Sequence, residues 1–226
     1  MAGEMVRFPS NGQEARGYLA KPVSGSGPGV IVIQEWWGLV PHIKDICDRL
    51  AGEGFVALAP DLYHGATTTE PDEAGKLMMA LKMDQAARDM SGAVDYLVGL
   101  DATTGDKVGC VGYCMGGGLS LFLASLKPRI GACVVYYGVL PGAQPDLSKV
   151  LAPVLGHFAE KDQFAPPASA RELENGLKSL GKQAEFHISP GADHAFFNDT
   201  RPDVYDAEAA QLSWERTLAF YRQHLR

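Results

Sequence analysis

The stretch Lys107-Val108-Gly109-Cys110-Val111-Gly112-Tyr113-Cys114-Met115-Gly116-Gly117-Gly118 decides the fold of this 226-residue chain. Its apolar first half predicts a buried strand over 107–113, and its second half begins a helix predicted over 115–126. Cys114 lies at the junction, between Gly112 and Gly116. A nucleophile flanked by glycines at a strand-to-helix turn is held above the sheet, because the tight turn leaves no room for neighbouring Cβ atoms. The helix N-terminus also favours a thiolate, so Cys114 is the candidate nucleophile.

Short apolar runs alternate with helical patterns along the chain, which indicates parallel strands joined by helices. Asn11-Gly12 predicts a hairpin at the sheet edge. Strands are predicted at 5–8, 15–20, 29–35, 55–59, 132–137, 154–158 and 184–188, and further helices from Pro41 to Gly52 or Gly54 and at 85–100, 167–180 and 204–225. A long connection is expected from Tyr63 to Asp72. No linker or repeat divides the chain, so we predict one α/β domain over 1–226, a mostly parallel, doubly wound sheet of seven or eight strands.

Composition and charge exclude several classes of function. The net charge of −7 argues against nucleic acid or an anionic membrane as a partner, since both need clustered Lys and Arg. Four cysteines without a CxxC pair predict neither a disulfide framework nor a cysteine zinc site. The first residues lack an apolar signal segment, and no apolar run reaches the length of a membrane span. We therefore expect a cytoplasmic protein.

The acid and the base should follow Cys114 in the chain, because α/β-hydrolases place nucleophile, acid and histidine in that order. Asp162 follows the strand predicted at 154–158, at the carboxyl end where ligand sites of open α/β sheets gather. Glu160 is the competing carboxylate. His194 lies in a loop beside Gly191, just past the last predicted strand, and is the candidate base. Asp193 is a rival acid.

The remaining histidines and cysteines have structural interpretations. His157 and His187 lie inside predicted strands, and His42 and His224 lie on helices, where we expect them to be solvated. His64 belongs to a loop that could reach the pocket, but it precedes the nucleophile. The other cysteines are expected in the core: Cys47, Cys110 and Cys133.

Four segments together resemble the dienelactone hydrolase (carboxymethylenebutenolidase) family of the α/β-hydrolase superfamily, over nearly the whole chain. They are Gln34–Gly38, Ala59–Tyr63, Val111–Gly117 and Gly191–Phe196. The resemblance implies an α/β-hydrolase fold that needs no cofactor or metal, and cleavage of a small ester or lactone through an acyl-thioester. It matches Cys114, Asp162 and His194 to the catalytic triad of that family.

The resemblance also implies a role for Glu35, which otherwise could be an ordinary strand-end residue. In the family this glutamate keeps the resting thiol neutral until substrate displaces it, and a carboxylate near Cys114 would raise the pKa of the thiol. The oxyanion hole should consist of the backbone N–H groups of Trp36 and Met115.

Substrate recognition is where the chain departs from the family pattern. Family members that act on dienelactone hold its carboxylate with two arginines. The segment 67–83 contains no arginine, Asn198 stands where the second would fall, and Arg201 is a possible substitute. Without a bidentate anchor a carboxylate is held less firmly. A more apolar pocket is expected instead, lined by Trp37, Tyr63, Met78, Tyr137 and Phe196.

Two other functions remain open from the sequence. A non-catalytic binding or thiol-sensing protein could use the same fold, with Cys114 oxidised to a sulfenic acid. A thiol protease would need an extended peptide groove, which no segment predicts. For the hydrolase, the expected partner is a small-molecule ester or lactone, and we expect a monomer or weak homo-oligomer.

Overall fold

The computed structural model describes residues 3–138 and 145–225. Eight strands and six α-helices alternate in the order β1, β2, β3, α1, β4, α2, α3, β5, α4, β6, β7, α5, β8, α6. The strands are β1 Glu4–Ser10, β2 Gln13–Ala20, β3 Gly27–Ile33, β4 Val56–Pro60, β5 Thr103–Tyr113, β6 Ile130–Tyr136, β7 Val154–Ala159 and β8 Ala184–Ser189. The helices are α1 Pro41–Gly52, α2 Pro71–Ala80, α3 Met83–Val98, α4 Met115–Leu126, α5 Pro167–Ser179 and α6 Ala207–His224.

All eight strands form one sheet in the order β1-β2-β4-β3-β5-β6-β7-β8. The hairpin β1–β2 is antiparallel, β2 pairs antiparallel with β4, and the remaining pairs are parallel. The strand β5 lies mid-sheet between β3 and β6. The carboxyl ends of parallel strands lie at the same edge of a sheet. The loops that follow β3, β5, β7 and β8 therefore meet at one edge.

Helices cover both faces of the sheet, and alternate residues of β3 enter two separate cores. Ile31 and Ile33 pack with residues of α3 and α4. Val30 and Val32 pack with residues of α1 and α6. This period of two, with both faces covered, explains why the strand is a continuous β-branched run.

The structure confirms the predicted fold class, and two of its differences from the sequence predictions concern the region of the site. β3 ends at Ile33, so Glu35 lies two residues beyond the strand. The helix α2 begins at Pro71, inside the region expected to be a connection; it buries only Ala74, which explains its weak apolar period.

Candidate active site

Cys114 occupies the sharp turn between β5 and α4. It is the residue immediately before α4, with φ 54° and ψ −120°, a conformation that residues with a Cβ rarely adopt. Such strain persists only where the surroundings enforce it. Here the amide N–H of Cys114 donates to the carbonyl oxygen of Tyr136 on the neighbouring strand, at 3.1 Å. The turn therefore presents the thiol at the edge of the sheet where the loops open.

The flanking glycines are required by contact between backbone segments. A Cβ on Gly112 would collide with the carbonyl oxygen of Gly116. A Cβ on Gly116 would collide with the carbonyl oxygens of Ile33 and Gln34, where the chain leaves β3. The elbow is thus locked against the segment that carries Glu35.

Asp162 and His194 form a short, buried hydrogen bond. The distance from His194 Nδ1 to Asp162 Oδ2 is 2.7 Å, and the Asp162 side chain is fully buried. The other carboxylate oxygen of Asp162 accepts from the amide N–H groups of Phe164 and Ala165, each at 2.8 Å. Burial alone would raise the pKa of Asp162, but the hydrogen bond and charge of His194 and these two amides lower it. An ionised Asp162 fixes the proton of His194 on Nδ1, which leaves Nε2 available as a base.

The imidazole of His194 is held by two aromatic rings. The ring of Tyr137 meets it edge-on, with centroids 5.0 Å apart, and the ring of Phe164 lies at 5.1 Å. The rival acids are placed elsewhere: Glu160 accepts from the amide N–H of Gly191, and Asp193 is exposed to solvent.

The other histidines lie away from this pair. His64 contacts the buried carboxylate of Asp89 at 3.2 Å. The expectation that His42 is solvated was wrong. His42 is 3% exposed, because it lies on the side of α1 that packs beneath the loop containing Phe197. The three remaining cysteines are buried as predicted: Cys47, Cys110 and Cys133.

Glu35 is buried, 1% exposed, in the loop after β3. Its Oε2 accepts a hydrogen bond from the Asn198 side-chain amide at 2.9 Å. Burial raises the pKa of Glu35 to about 7, against the opposing effects of His194, Asn198 and Arg201. This carboxyl group is therefore about half ionised near neutral pH.

The orientation of Asn198 is fixed by Thr200. The Asn198 side-chain oxygen accepts from both the amide N–H and the hydroxyl of Thr200, at 3.1 and 2.6 Å. The amide nitrogen must then face Glu35. Asn198, expected as a substrate-binding residue, is 2% exposed and serves as the hydrogen-bond donor that holds Glu35.

The thiol of Cys114 is kept protonated by its surroundings. Burial has the largest effect in raising its pKa, and the charge of Glu35 adds to it. A hydrogen bond from the backbone N–H of Met115 acts in the opposite direction. Met115 is the first residue of α4, so this N–H has no partner within the helix.

A cavity of about 560 Å³ joins these groups. Cys114, His194 and Glu35 all line it, together with Trp36. Of the residues predicted to bind substrate, the cavity walls contain Trp37, Met78 and Arg201. The walls also contain three residues that the sequence analysis did not select: Pro71, Phe164 and Ala195. Phe164 follows Asp162 by two residues, a proximity that could have indicated it.

Three other predicted pocket residues lie outside this cavity. Phe196 is fully buried in the core cluster beneath it. Tyr137 is also fully buried, and its ring packs edge-on against the ring of His194. Tyr63 is 9% exposed, and its hydroxyl contacts the sulfur of Met115 at 3.5 Å. Large aromatic side chains packed as structural support here, as they most often do.

Within residues 3–138 and 145–225, no group of three or more His, Cys, Asp or Glu side chains is arranged to hold a metal ion. None of the helices there combines the length and the apolar character that a membrane crossing requires.

An eight-stranded, mostly parallel sheet with a cysteine elbow and a loop histidine defines an α/β-hydrolase. A sequence profile of the dienelactone hydrolase family matches residues 15–225. The chain belongs to the dienelactone hydrolase family, and it is a hydrolase of the ester and lactone class.

Individual relatives are similar over almost the whole chain. Protein usf of Aquifex pyrophilus is 41% identical, over 99% of both chains. An Aquifex aeolicus protein with the provisional name of carboxymethylenebutenolidase is 37% identical, over 99% of this chain and 100% of its own. A crystal structure from Klebsiella pneumoniae, described provisionally as a dienelactone hydrolase, has a TM-score of 0.88 at 30% identity, covering 99% of this chain and 100% of that one.

Proposed function

We propose that this chain hydrolyses a small ester or lactone through an acyl-thioester on Cys114. His194 would act as general base and acid, and Asp162 would orient it. The observation that supports this most is the convergence of the strained cysteine elbow and the 2.7 Å Asp162–His194 pair on one cavity.

The reaction has two half-steps. His194 Nε2 takes the thiol proton as the sulfur of Cys114 attacks the carbonyl carbon, and the carbonyl oxygen gains the negative charge. The backbone N–H groups of Trp36 and Met115 stabilise that charge. The carbon–oxygen bond then breaks, and His194 returns its proton to the leaving alcohol. Water, deprotonated by His194, attacks the thioester carbon. The carbon–sulfur bond breaks, His194 returns the proton to the sulfur of Cys114, and the acid is released.

Glu35 would control when the thiolate forms. At rest its charge and the burial of Cys114 favour the thiol. A substrate that enters the cavity would displace the Glu35 carboxylate from the neighbourhood of the sulfur. The thiolate would then form with His194 as its counter-ion.

The pocket favours a mostly apolar substrate with at most one negative charge. Trp36, Trp37, Met78 and Phe164 supply its apolar walls. Arg201 is the cationic residue in the cavity wall, and its ion pair with Asp203 at 3.0 Å lies at the surface, where such pairs are weak. A neutral ester or lactone is therefore the proposed substrate class, with Arg201 available to a single carboxylate.

The test uses a short p-nitrophenyl ester with the wild-type protein and Cys114→Ala. We expect turnover to fall by about 10⁴-fold or more, because the step that forms the intermediate is lost. Rapid acid quenching and mass spectrometry should detect the acyl group on wild-type Cys114. The control is Cys47→Ala, which alters a buried thiol on α1 and should retain turnover.

Retained activity in folded Cys114→Ala would overturn the proposed nucleophile. The thiol-sensing alternative would require that no ester is cleaved and that mild peroxide oxidises Cys114 selectively. The raised pKa of this thiol argues against it, since redox-sensing cysteines are thiolates at neutral pH.

A further inference from the structure

A chain of hydrogen-bonded side chains links the protein surface to the carboxylate of Glu35. Thr200 is exposed, and its hydroxyl donates to Asn198 Oδ1 at 2.6 Å. The buried Nδ2 of Asn198 donates in turn to Glu35 Oε2 at 2.9 Å. Within residues 3–138 and 145–225, this is the one hydrogen bond that the Glu35 carboxylate accepts. The support of this buried charge therefore depends on how Asn198 is oriented.

The amide of Asn198 fits between Thr200 and Glu35 in one orientation. Thr200 offers two donors, its hydroxyl and its backbone N–H, and the backbone nitrogen lies 3.1 Å from Asn198 Oδ1. A flipped amide would set Nδ2 against that N–H and Oδ1 against the Glu35 carboxylate, so like groups would face each other at both ends. Loss of the Thr200 hydroxyl should weaken this preference, and the backbone N–H should preserve part of it.

The backbone around Asn198 does not depend on these side-chain bonds. The amide N–H of Asn198 donates to the carbonyl oxygen of Ala195 at 2.9 Å. The carbonyl oxygen of Asn198 accepts from the amide N–H of Arg201 at 3.1 Å. Substitution of the Thr200 side chain should therefore leave the turn after His194 in place and change only the hydrogen bonds that lead to Glu35.

Few groups near Glu35 can change their charge near neutral pH. The titratable or charged side chains coupled to it lie in the β5–α4 elbow, after β6 and after β8: Tyr113, Cys114, Tyr137, His194 and Arg201. Burial, and then the charge of nearby groups including Glu35, raises the pKa of both tyrosines far above this range. The guanidinium stays cationic. Besides the thiol, only Glu35 and the imidazole therefore need to be separated by experiment.

We propose that Thr200 is a positioning residue for the thiol of Cys114. Through Asn198 it holds the Glu35 carboxylate in the ionised form whose charge keeps the resting thiol protonated. Thr200 is not among the described residues that line the active-site cavity, so it acts through Asn198 and Glu35. This inference rests on the proposed function, because the thiol matters to catalysis only if Cys114 is the nucleophile.

The test follows alkylation of Cys114 by iodoacetamide from about pH 6 to 9.5. The rate follows the thiolate fraction, so its logarithm should rise with pH and flatten where Glu35 ionises, because that charge opposes the thiolate. In wild type the flattening should begin near pH 7, since burial raises the pKa of Glu35 to about 7. Glu35→Gln should lack this contribution, and any flattening that remains in it arises from His194.

Thr200→Val keeps the shape of the side chain and the backbone N–H but removes the hydroxyl. Glu35 should then ionise at higher pH, so the flattening should begin about half a pH unit later and alkylation at pH 8 should be about twofold faster. Asn198→Leu removes the donor to Glu35 itself. We expect a displacement of about one pH unit or more, since hydrogen bonds to charged groups are the stronger ones.

Two matched variants separate the hydroxyl from the shape of the side chain. Thr200→Ser keeps the hydroxyl and should restore the wild-type profile. Thr69→Val removes the hydroxyl of an exposed threonine outside this chain of hydrogen bonds and should leave the profile unchanged. A wild-type profile in folded Thr200→Val would overturn the proposal, whatever Asn198→Leu shows. Equal displacement in Thr200→Ser and Thr200→Val would overturn it too, since shape rather than the hydroxyl would then be the cause.

Alkylation needs no turnover, so this proposal and the proposed hydrolysis can fail separately. A displaced profile in Thr200→Val, together with ester hydrolysis retained in Cys114→Ala, would contradict the proposed nucleophile and support the control of the thiol by Thr200. Loss of hydrolysis in Cys114→Ala, together with an undisplaced profile in Thr200→Val, would contradict the role of Thr200 alone.

Discussion

The buried floor of the active site and its outer wall are built in different ways. The floor consists of Cys114, Asp162 and Glu35, which are held by backbone contacts and by hydrogen bonds among buried groups. The wall consists of half-exposed or exposed side chains such as Met78, Phe164 and Arg201. Backbone placement fixes the positions of reacting atoms, whereas exposed side chains can be exchanged at little cost in stability. The chemistry should therefore tolerate few changes, and the substrate preference many.

Among substitutions in the floor of the site, Asp162→Asn should have the largest effect on activity. The amide cannot hold the proton of His194 on Nδ1 as an ionised carboxylate does, and we expect kcat to fall by about 10³- to 10⁴-fold. The measurement is steady-state hydrolysis of a p-nitrophenyl ester. Asp193→Asn, beside the histidine but exposed, should keep wild-type activity. If the two variants lose activity equally, Asp162 is not the acid.

Gly112→Ala tests whether the backbone fixes the nucleophile. The added Cβ collides with the carbonyl oxygen of Gly116, so the elbow must shift. We expect about a hundredfold loss of kcat/KM and a loss of about 3 kcal/mol in the free energy of unfolding. Gly75→Ala is the control, since its Cβ would lie in open space on α2 and should stabilise slightly. An unaffected Gly112→Ala would remove the argument from the elbow.

Glu35→Gln tests the control of the thiol. Without the Glu35 charge the pKa of Cys114 should fall, and one unit of pKa changes the thiolate fraction about tenfold. Alkylation by iodoacetamide between pH 7.5 and 9 should therefore be about tenfold faster, with Glu160→Gln as the exposed control. Identical alkylation rates would contradict the role of Glu35.

Glu35 should also affect stability in a defined pH range. Its folded-state pKa of about 7 exceeds the ordinary value of 4.5, so the folded protein binds more protons between these values. The free energy of unfolding should then decrease as pH rises from about 4.5 to 7, by about 3 kcal/mol, and change no further from this group above pH 7. Glu35→Gln should lack that part of the slope in urea unfolding.

Arg201→Gln tests the outer wall and should have the smallest effect. If Arg201 attracts a substrate carboxylate, kcat/KM for dienelactone should fall about fivefold relative to a neutral ester, because the guanidinium is partly exposed and screened. Arg222→Gln, which removes a surface cation of α6, is the matched control. A proportional loss for both substrates would mean that Arg201 does not sense charge.

The sequence predicted which residues lie in the floor of the site better than which residues line its wall. Cys114 was identifiable because the glycines that its turn requires are adjacent in the chain. Asp162 and His194 were identifiable because strand ends gather at one edge of a parallel sheet. The part played by Asn198 was missed, since its bond to Glu35 joins residues 163 positions apart. The helix α2 was missed because it lies on the surface and buries almost nothing.

The distribution of thiols has a practical consequence. Cys47, Cys110 and Cys133 are fully buried, and burial raises the pKa of Cys47 and of Cys110 far above the ordinary range. Of the four, Cys114 is half-buried and lines the active-site cavity. An electrophilic, activity-based probe should therefore label each folded molecule once, and the amount of bound label would count the competent molecules in a preparation.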